Sequence, residues 1–365
     1  MIIVALCTLS LLLSPVNGAF CNGKPHPDAQ ENNNTLDVAA PRYVRSSINA
    51  TGGNATLYLA GTGDDVLSIV HLWGTPYQKG HAHGTLMKES MSSFVRRAYA
   101  YFESEFEQSL NSSVPWIPPK MAKWVADVGL SVALDLTYDA TKKFSGSYFF
   151  EEMQGMADAT GLDFKMIRRV HMIGELTKGS CSMYGAWGDA TLDGKTLQMR
   201  ALDWDTSGPF QDYPQVTVYH KETASVVVVV PSPEEMVATA TEQSFANVGW
   251  TGWIGSITGM SEVNTAISEI GVSFPDATFG KESRFGVPFT FILRDILQFD
   301  RTLDDAMDHI TNAYDFFFFF LLLFSSNLNS SKQPTPLALT PFFLFFFFFW
   351  FSKFSTRSAA IAHVI

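Results

Sequence analysis

The spacing of hydrophobic positions along the chain changes twice. From His83 to Leu176 apolar residues recur every three or four positions, which predicts helices. After Lys178 apolar and polar residues alternate, which predicts strands, and helical spacing returns at Pro288. The predicted helices are His83–Leu110, Pro118–Lys143, Glu151–Thr160, Phe164–Leu176, Pro288–Phe299 and Thr302–Thr311. The predicted hairpins pair Ser182–Ala190 with Lys195–Asp205, Gln215–Lys221 with Ala224–Val230, and Val248–Met260 with Thr265–Phe274.

This order of helices, strands and helices predicts an α+β fold, in which two layered sheets carry helices on their outer faces. Two short strands, Thr56–Leu59 and Val66–Trp73, precede the first helix. The glycine-punctuated segment Gly74–Gly84 between them and the helix predicts a loop. Asp193-Gly194 is a strong signal for a tight hairpin turn.

The N-terminal residues predict export. Met1–Gly18 combines an apolar stretch with small residues at its C-terminal end, which is typical of a secretory signal cleaved before Ala19. The alternative is a buried N-terminal strand. Residues Ala19–Asn54 are polar and predict a loose leader. Glycosylation sequons fit a secreted or lysosomal protein, and they begin at Asn33, Asn49, Asn54 and Asn111.

Residues 314–365 differ in composition from the rest of the chain. Fifteen of the 31 Phe residues lie in Phe316–Phe354, and no acidic residue follows Asp315. The runs Phe316–Phe324 and Phe342–Phe351 follow neither a helix nor a strand period, and each is shorter than the roughly 20 residues that span a bilayer. We interpret this tail as translated intron or frameshifted sequence. The alternative is a hairpin that dips into a membrane.

Charge and ligand spacing narrow the classes of partner. The 365 residues carry a formal net charge of −11 without a Lys/Arg-rich run, so we expect no nucleic-acid partner. His81 and His83 are one residue apart and lack nearby Cys, His or acidic ligands, which is poor zinc spacing. We therefore expect no metal. We also expect no cofactor and no membrane association.

Cys181 is the residue most suited to covalent chemistry. A lone cysteine is commonly a small buried hydrophobe. Here its immediate neighbours are only glycine and serine, and the predicted hairpin returns Arg200 and Asp203 to the same end. A guanidinium near a thiol favours the thiolate, and a carboxylate can orient an amine or the arginine. The alternative is that Arg200 and Asp203 form an ordinary surface pair.

Cleavage between Ser180 and Cys181 would place a new α-amine beside the thiol. The unperturbed pKa of an α-amine is about 7.7–8.0, so this amine is suited to act as general base for its own side chain. Residues 19–180 would then form a helical subunit, and residues 181–313 would form the subunit that bears the nucleophile.

Several motifs resemble one known superfamily. Gly179-Ser180-Cys181-Ser182, followed by Asp193-Gly194 and Arg200-Ala201-Leu202-Asp203, resembles the N-terminal-nucleophile hydrolases of the choloylglycine hydrolase superfamily. Acid ceramidase, N-acylethanolamine acid amidase and penicillin acyltransferase-like proteins belong to that superfamily. Further segments that resemble it are Gly74–Gly84, Glu152–Gly161, Gly255–Met260 and Gly286–Arg294, and the first of these favours the acyltransferase-like branch.

The resemblance implies a four-layer αββα sandwich and self-cleavage before Cys181. It also implies attack on a small N-acylated or lipid-like substrate through an acyl-thioester, with the cleaved N-terminal subunit as a partner. In the superfamily the hairpin ends in Arg-Asn-x-Asp, and Ala201 stands at the Asn position here. Cys181 would be nucleophile and, through its amine, base, while Arg200 and Asp203 would position the amine and the substrate.

The oxyanion-binding residue departs from the superfamily pattern. The expected Asn falls on Ser268 or, in a shifted register, on Ser273. A hydroxyl reaches less far than an amide, and loss of one good donor costs about 10²–10³-fold in rate. Arg294 is a candidate substrate-binding arginine, the alternative being a charge on a helix surface. The resemblance stops near Ala313, so we expect the sandwich to be incomplete at its C-terminal end.

Other functions stay open at this point. The chain is also consistent with an inactive secreted glycoprotein of the same fold, disabled by Ser268 or by the altered C-terminus. A Cys21–Cys181 disulfide is the competing structural role for the cysteine. Gly179-Ser180-Cys181 and Trp187 also resemble papain-type proteases, but the preceding cysteine and the mature-terminus position of that family are missing. The Phe runs alone would suggest a membrane-anchored binding protein.

Overall fold

The computed structural model describes residues 40–48, 52–63, 66–113, 119–175, 181–191, 194–202, 208–222, 226–229, 237–240, 242–270, 286–313 and 320–325. The strands in these ranges are β1 (Arg42–Ile48), β2 (Asn54–Ala60), β3 (Leu67–Trp73), β4 (Cys181–Gly188), β5 (Gly194–Leu202), β6 (Pro214–Tyr219), β7 (Val226–Val229), β8 (Val237–Ala240), β9 (Phe245–Trp250), β10 (Thr258–Ser261), β11 (Thr265–Ile270) and β12 (Phe320–Ser325). The helices are α1 (Pro76–Leu86), α2 (Lys88–Ser113), α3 (Pro119–Thr141), α4 (Ser147–Thr160), α5 (Phe164–Met172), α6 (Phe289–Phe299) and α7 (Leu303–Asn312).

An eight-stranded sheet has the order β1-β2-β3-β6-β9-β10-β11-β12. Its neighbouring strands are antiparallel except for β3 and β6, which run parallel. The long helical segment α1–α5 lies in sequence between β3 and β6, which is the kind of crossover that a parallel pair requires. The predicted α+β class is therefore confirmed at the level of helices and a mainly antiparallel sheet.

Two neighbouring residues of β10 show what covers each face of the sheet. The hydroxyl of Thr258 contacts Arg200 of the β4–β5 hairpin. A Cβ atom on Gly259 would lie 2.5 Å from Leu297 Cδ1 of α6. Since successive residues of a strand face opposite sides, the hairpin covers one face of the sheet here and α6 covers the other.

Helices α1 and α4 approach each other through glycine. A Cβ atom on Gly80 would lie 1.9 Å from the carbonyl oxygen of Glu152, and one on Gly155 would lie 2.2 Å from that of Tyr77. The prediction of a loop over Gly74–Gly84 is therefore wrong. The glycines permit close packing of a helix, which begins after a capping box formed by Thr75 and Gln78.

Two strand predictions were wrong in their pairing or extent. Gln215–Lys221 does not form a hairpin with Ala224–Val230, because β6 lies between β3 and β9 while β7 pairs with β8. Val248–Met260 is divided between β9 and β10, with an intervening turn at which Gly252 has φ 79°. The β4–β5 and β10–β11 hairpins are confirmed.

The two segments predicted to lack regular structure each contain a strand. Strand β1 lies within the predicted loose leader and pairs with β2. Strand β12 lies within the Phe-rich tail and pairs with β11 over six residues. Residues 1–39 and 326–365 lie outside the described residues, so the predicted signal Met1–Gly18, Cys21 and the second Phe run do too.

Candidate functional site

Cys181 is the first residue of β4 and lies at the open end of the β4–β5 hairpin. It is paired in register with Leu202, the last residue of β5. Only 9 % of its surface is exposed, so the thiol is largely shielded from water. Ser180 and Asp203, which directly adjoin this pair in the sequence, lie outside the described residues.

Arg200 approaches the thiol from the neighbouring strand. It is paired with Met183, two positions from the Cys181–Leu202 pair, so Arg200 and Cys181 share one face of the hairpin. The Nη1 atom of Arg200 donates a hydrogen bond to Cys181 Sγ at 3.4 Å. A positive charge at this distance stabilises a thiolate. The structure thus brings together two of the predicted site residues.

Thr258 holds the same guanidinium from the main sheet. Its hydroxyl oxygen accepts a hydrogen bond from Arg200 Nε at 2.5 Å. Because Nε and Nη1 bind different partners, the guanidinium plane is fixed between Thr258 and Cys181. Thr258 lies in the glycine-rich segment singled out from the sequence, but this role was not predicted. A polar residue between glycines on a predicted strand was the available signal.

Ser268 lies next to this group. It is paired with Thr258 across the β10–β11 hairpin and is 1 % exposed. Residues paired in this way have Cα atoms about 4.5–5.5 Å apart. The structure therefore places the predicted oxyanion-binding residue one strand away from the threonine that holds Arg200.

Glu269 adds a buried carboxyl group beside the site, and it was not predicted from the sequence. It is 8 % exposed. Burial raises the pKa of Glu269 to about 6, while the positive charge of Arg200 acts in the opposite direction. The group consequently changes charge in the mildly acidic range and lies within electrostatic range of the arginine that contacts Cys181.

Arg294 lies in the core of the protein, on α6. It is 2 % exposed, and its Nη2 atom forms an ion pair with Glu152 Oε2 of α4 at 2.7 Å. Its Nη1 atom donates to the carbonyl oxygen of Ile254, and its guanidinium lies 4.4 Å from the ring centre of Tyr219. The alternative of a charge on a helix surface is therefore wrong. None of the hydrogen bonds among the described residues joins Arg294 to Cys181.

A second buried ion pair is connected to the first. Lys79 Nζ of α1 lies 3.0 Å from Glu242 Oε1, and each side chain is 3 % exposed. Gln298 links the two pairs, because it donates to Glu242 and accepts from Arg294. These polar groups join α1, α4 and α6. This network was not predicted from the sequence, since directly contacting members are up to 163 residues apart.

The other predicted site residues are distributed over the surface or lie outside the described ranges. Asn54 at the start of β2 and Asn111 near the end of α2 are exposed, as a glycosylated residue must be. Asn33 and Asn49 lie outside the described residues. In the part of the chain that the structure describes, no group of three or more His, Cys, Asp or Glu side chains is placed to hold a metal ion.

His81 and His83 both lie within α1 rather than in the predicted loop. His83 is completely buried, and this burial lowers its pKa to about 4. Its Nε2 atom lies 2.8 Å from Gln215 Nε2.

None of the described helices combines the length and apolar character needed to cross a membrane.

Comparison with known proteins finds relatives without a stated activity. No protein-family profile matches the chain. It is 37% identical over 259 residues to "Protein dcd1A" of Dictyostelium discoideum, an alignment that covers 70% of this chain and 55% of that protein. It is 34% identical over 265 residues to "Protein dcd1B" of the same organism, covering 72% of this chain and 49% of that protein.

An uncharacterized protein of Archaeoglobus fulgidus is 24% identical over 268 residues, which cover 67% of this chain and 39% of that protein. The chain spans about half the length of the two Dictyostelium relatives that it matches. The chain is therefore similar to dcd1A and dcd1B over one part of each.

Proposed function

We propose that the chain is a secreted or lysosomal N-acyl amide hydrolase or acyltransferase of the N-terminal-nucleophile type. Cys181 is its nucleophile, released by cleavage of the Ser180–Cys181 bond. The observation that carries the proposal is the 3.4 Å hydrogen bond from Arg200 Nη1 to Cys181 Sγ at the open end of a hairpin. This contact supplies the positive charge that a cysteine nucleophile needs.

Self-cleavage begins when Sγ of Cys181 attacks the carbonyl carbon of Ser180. The C–N bond of the peptide breaks, and the thiol proton passes to the nitrogen that leaves. Water then hydrolyses the resulting thioester, which leaves a carboxylate on Ser180 and an α-amine on Cys181. The products are the subunit that ends at Ser180 and the subunit that begins at Cys181.

In the catalytic cycle the new α-amine takes the thiol proton and the thiolate attacks the acyl carbon of the substrate. The tetrahedral intermediate collapses as the ammonium group returns its proton to the leaving nitrogen. The acyl-thioester then passes its acyl group to water or to a second amine, which regenerates the thiol. Arg200 stabilises the thiolate, Asp203 positions the α-amine, and Ser268 donates a hydrogen bond to the oxyanion.

The four-layer αββα sandwich is part of this proposal. Helix α6, the eight-stranded sheet and the β4–β5 hairpin supply three consecutive layers in that order. The proposed sandwich further requires a second helical layer outside the hairpin. The secretory signal at Met1–Gly18 and the sequons route the protein to the compartment in which such an enzyme acts.

The experiment is N-terminal sequencing and intact-mass measurement of the secreted protein. The parent chain and the conservative variant Cys181→Ser yield a fragment beginning at residue 181, the variant more slowly because a hydroxyl is the weaker nucleophile. Cys181→Ala yields an uncleaved chain. A panel of N-acyl amides is then tested, and equal turnover by the parent and by Cys181→Ala would rule out the proposed nucleophile.

Ser268 favours a second candidate function, an inactive glycoprotein of the same fold. A serine stands where the superfamily has an amide donor, and it is 1 % exposed. An uncleaved parent chain that binds N-acyl amides without turnover would support this candidate. If Ser268→Asn then produced both cleavage before Cys181 and turnover, the serine would be identified as the cause of the inactivity.

A further inference from the structure

Helix α3 carries a row of large apolar side chains on its outer surface. Met121, Trp124, Val128, Val132 and Leu136 are between 40 and 63 % exposed. They recur every three or four residues, so they form one stripe along one side of the helix. At 1.5 Å per residue the stripe is about 22 Å long. We call this set of five residues the α3 stripe.

The opposite side of the same helix packs against the protein. Ala122, Ala126, Leu130 and Leu134 are at most 7 % exposed. The exposure of the α3 stripe is therefore not the result of a loosely attached helix. Helices that are apolar on both sides occur where both sides are buried, and an exposed apolar patch of this kind marks an interaction surface.

The surroundings of the stripe suit a boundary between water and an apolar medium. Phe106 of α2 is 39 % exposed and widens the stripe, because its ring lies beside Gly129 of α3. Trp124, at 63 % exposed, is of the residue type favoured at membrane interfaces. Lys120 and Lys123 precede it, and long lysine side chains keep their charge in water while their stems cover apolar surface.

The area of the stripe distinguishes a lipid surface from a second copy of the chain. At 40–63 % exposure the five side chains present on the order of 500 Å² of accessible surface, of which Trp124 alone contributes about 150 Å². A stable protein interface buries about 800 Å² on each partner. A lipid surface has no such threshold, since binding increases continuously with the apolar area inserted.

The charges next to the stripe select the type of lipid. Lys123 is paired with Glu103 at 3.1 Å, and Glu107 and Asp127 act on the same ammonium group. Together with the net charge of −11, these acids repel anionic headgroups. We propose that the α3 stripe docks the protein on a zwitterionic lipid surface. This reverses the expectation of no membrane association and does not depend on the chemistry proposed for Cys181.

The test is flotation of the full chain with phosphatidylcholine vesicles. The double variant Trp124→Ser/Leu136→Ser removes the two most exposed members of the stripe. Ile48→Ser on β1 is the matched control, because Ile48 is 83 % exposed but lies outside the stripe. We expect the double variant to lose about tenfold or more in vesicle affinity, the control to bind like the parent, and added salt to have little effect.

Several outcomes would overturn the proposal: no flotation of the parent, or equal flotation of the double variant. A concentration-dependent dimer in sedimentation that the double variant abolishes would instead assign the stripe to a second copy. Circular dichroism and urea unfolding establish that each variant is folded. Cys181→Ala floats like the parent under the proposal, so failure of the proposed enzyme function is distinguished from failure of lipid docking.

Discussion

Arg200 binds Cys181 through Nη1 and Thr258 through Nε, so a single guanidinium connects the thiol to the main sheet. The two strands that carry Arg200 and Cys181 are paired neighbours in one hairpin, whereas Thr258 is 58 residues beyond Arg200 in the chain. The charge beside the thiol is therefore positioned by tertiary packing as well as by the hairpin, and both contributions are testable.

Removal of the Arg200 guanidinium should disfavour the thiolate form of Cys181. In Arg200→Gln we expect the pH midpoint for alkylation of Cys181 to rise by about one unit, since an opposite charge at this distance favours the ionised form. The measurement is the rate of iodoacetamide labelling of the Cys181 peptide as a function of pH. Lys195→Gln, an exposed charge on the same strand, is the control. Equal midpoints in parent and Arg200→Gln would contradict the assigned role.

Thr258 is a positioning residue that acts through Arg200. In Thr258→Val the guanidinium loses an acceptor, and a hydrogen bond to a charged group is worth about 1.5–3 kcal/mol. We expect labelling of Cys181 near neutral pH to slow by roughly three- to tenfold, because the guanidinium is no longer fixed at the sulfur. Thr258→Ser retains the hydroxyl and should restore the parent rate. Slow labelling in both variants would indicate a packing effect instead.

Replacing either member of the buried ion pair Glu152–Arg294 should strongly lower the free energy of unfolding. Glu152→Gln and Arg294→Met each leave a buried group without its ionic partner, and we expect each to lower the free energy of unfolding by about 3–5 kcal/mol. The double variant should lose less than the sum, because the two residues interact directly. Urea unfolding measures all three. Arg97→Met breaks the exposed Arg97–Asp212 pair and should cost at most about 1 kcal/mol.

Replacing two helical glycines by alanine should change the free energy of unfolding in opposite directions. In Gly80→Ala the new Cβ would meet the carbonyl oxygen of Glu152 at 1.9 Å, so we expect a loss of about 3 kcal/mol or more in unfolding free energy. In Gly129→Ala the nearest atom is a ring carbon of Phe106 at 3.4 Å. That variant should gain about 0.5–1 kcal/mol, since alanine favours the helix. Similar urea midpoints for the two variants would contradict the close approach of α1 and α4.

Local signals in the sequence predicted most of the helices, the β4–β5 hairpin and the candidate thiol. The spacing of hydrophobic positions and the residue types of turns are local properties of the sequence, so they can be recognised without knowledge of the fold. The loop predicted over Gly74–Gly84 was wrong because glycine serves close packing as well as turns, and only the position of α4 distinguishes the two.

The contacts of the site residues with other elements could not be predicted. Thr258 meets Arg200, and Glu152 meets Arg294, only because distant strands and helices pack together. Arg294 was identified as an arginine of interest, but a charged residue on a helix of unknown orientation carries no signal of burial. The single sequence therefore predicted the identity of candidate residues better than their partners.

Buried His171 should make the fold sensitive to mild acid. Its Nδ1 atom lies 2.8 Å from the carbonyl oxygen of Ile167, and its Nε2 atom accepts from the backbone N–H of Ile254 at 3.1 Å. These bonds require the neutral imidazole protonated at Nδ1. Burial lowers its pKa from 6.5 to about 4.

The direction of the pH effect on stability follows from which state, folded or unfolded, binds the proton. Below pH 6.5 the unfolded chain protonates His171 while the folded chain does not, so stability falls as the pH drops towards 4, by about 3 kcal/mol for this group. Glu269 and Asp295 have raised pKa values of about 6 and about 7, and they act in the opposite direction. Comparison of His171→Gln with the parent isolates the histidine. Urea unfolding at several pH values should show the variant gaining stability relative to the parent as the pH falls from 6.5 towards 4, and an unchanged difference between the two would show that His171 titrates normally in the folded protein.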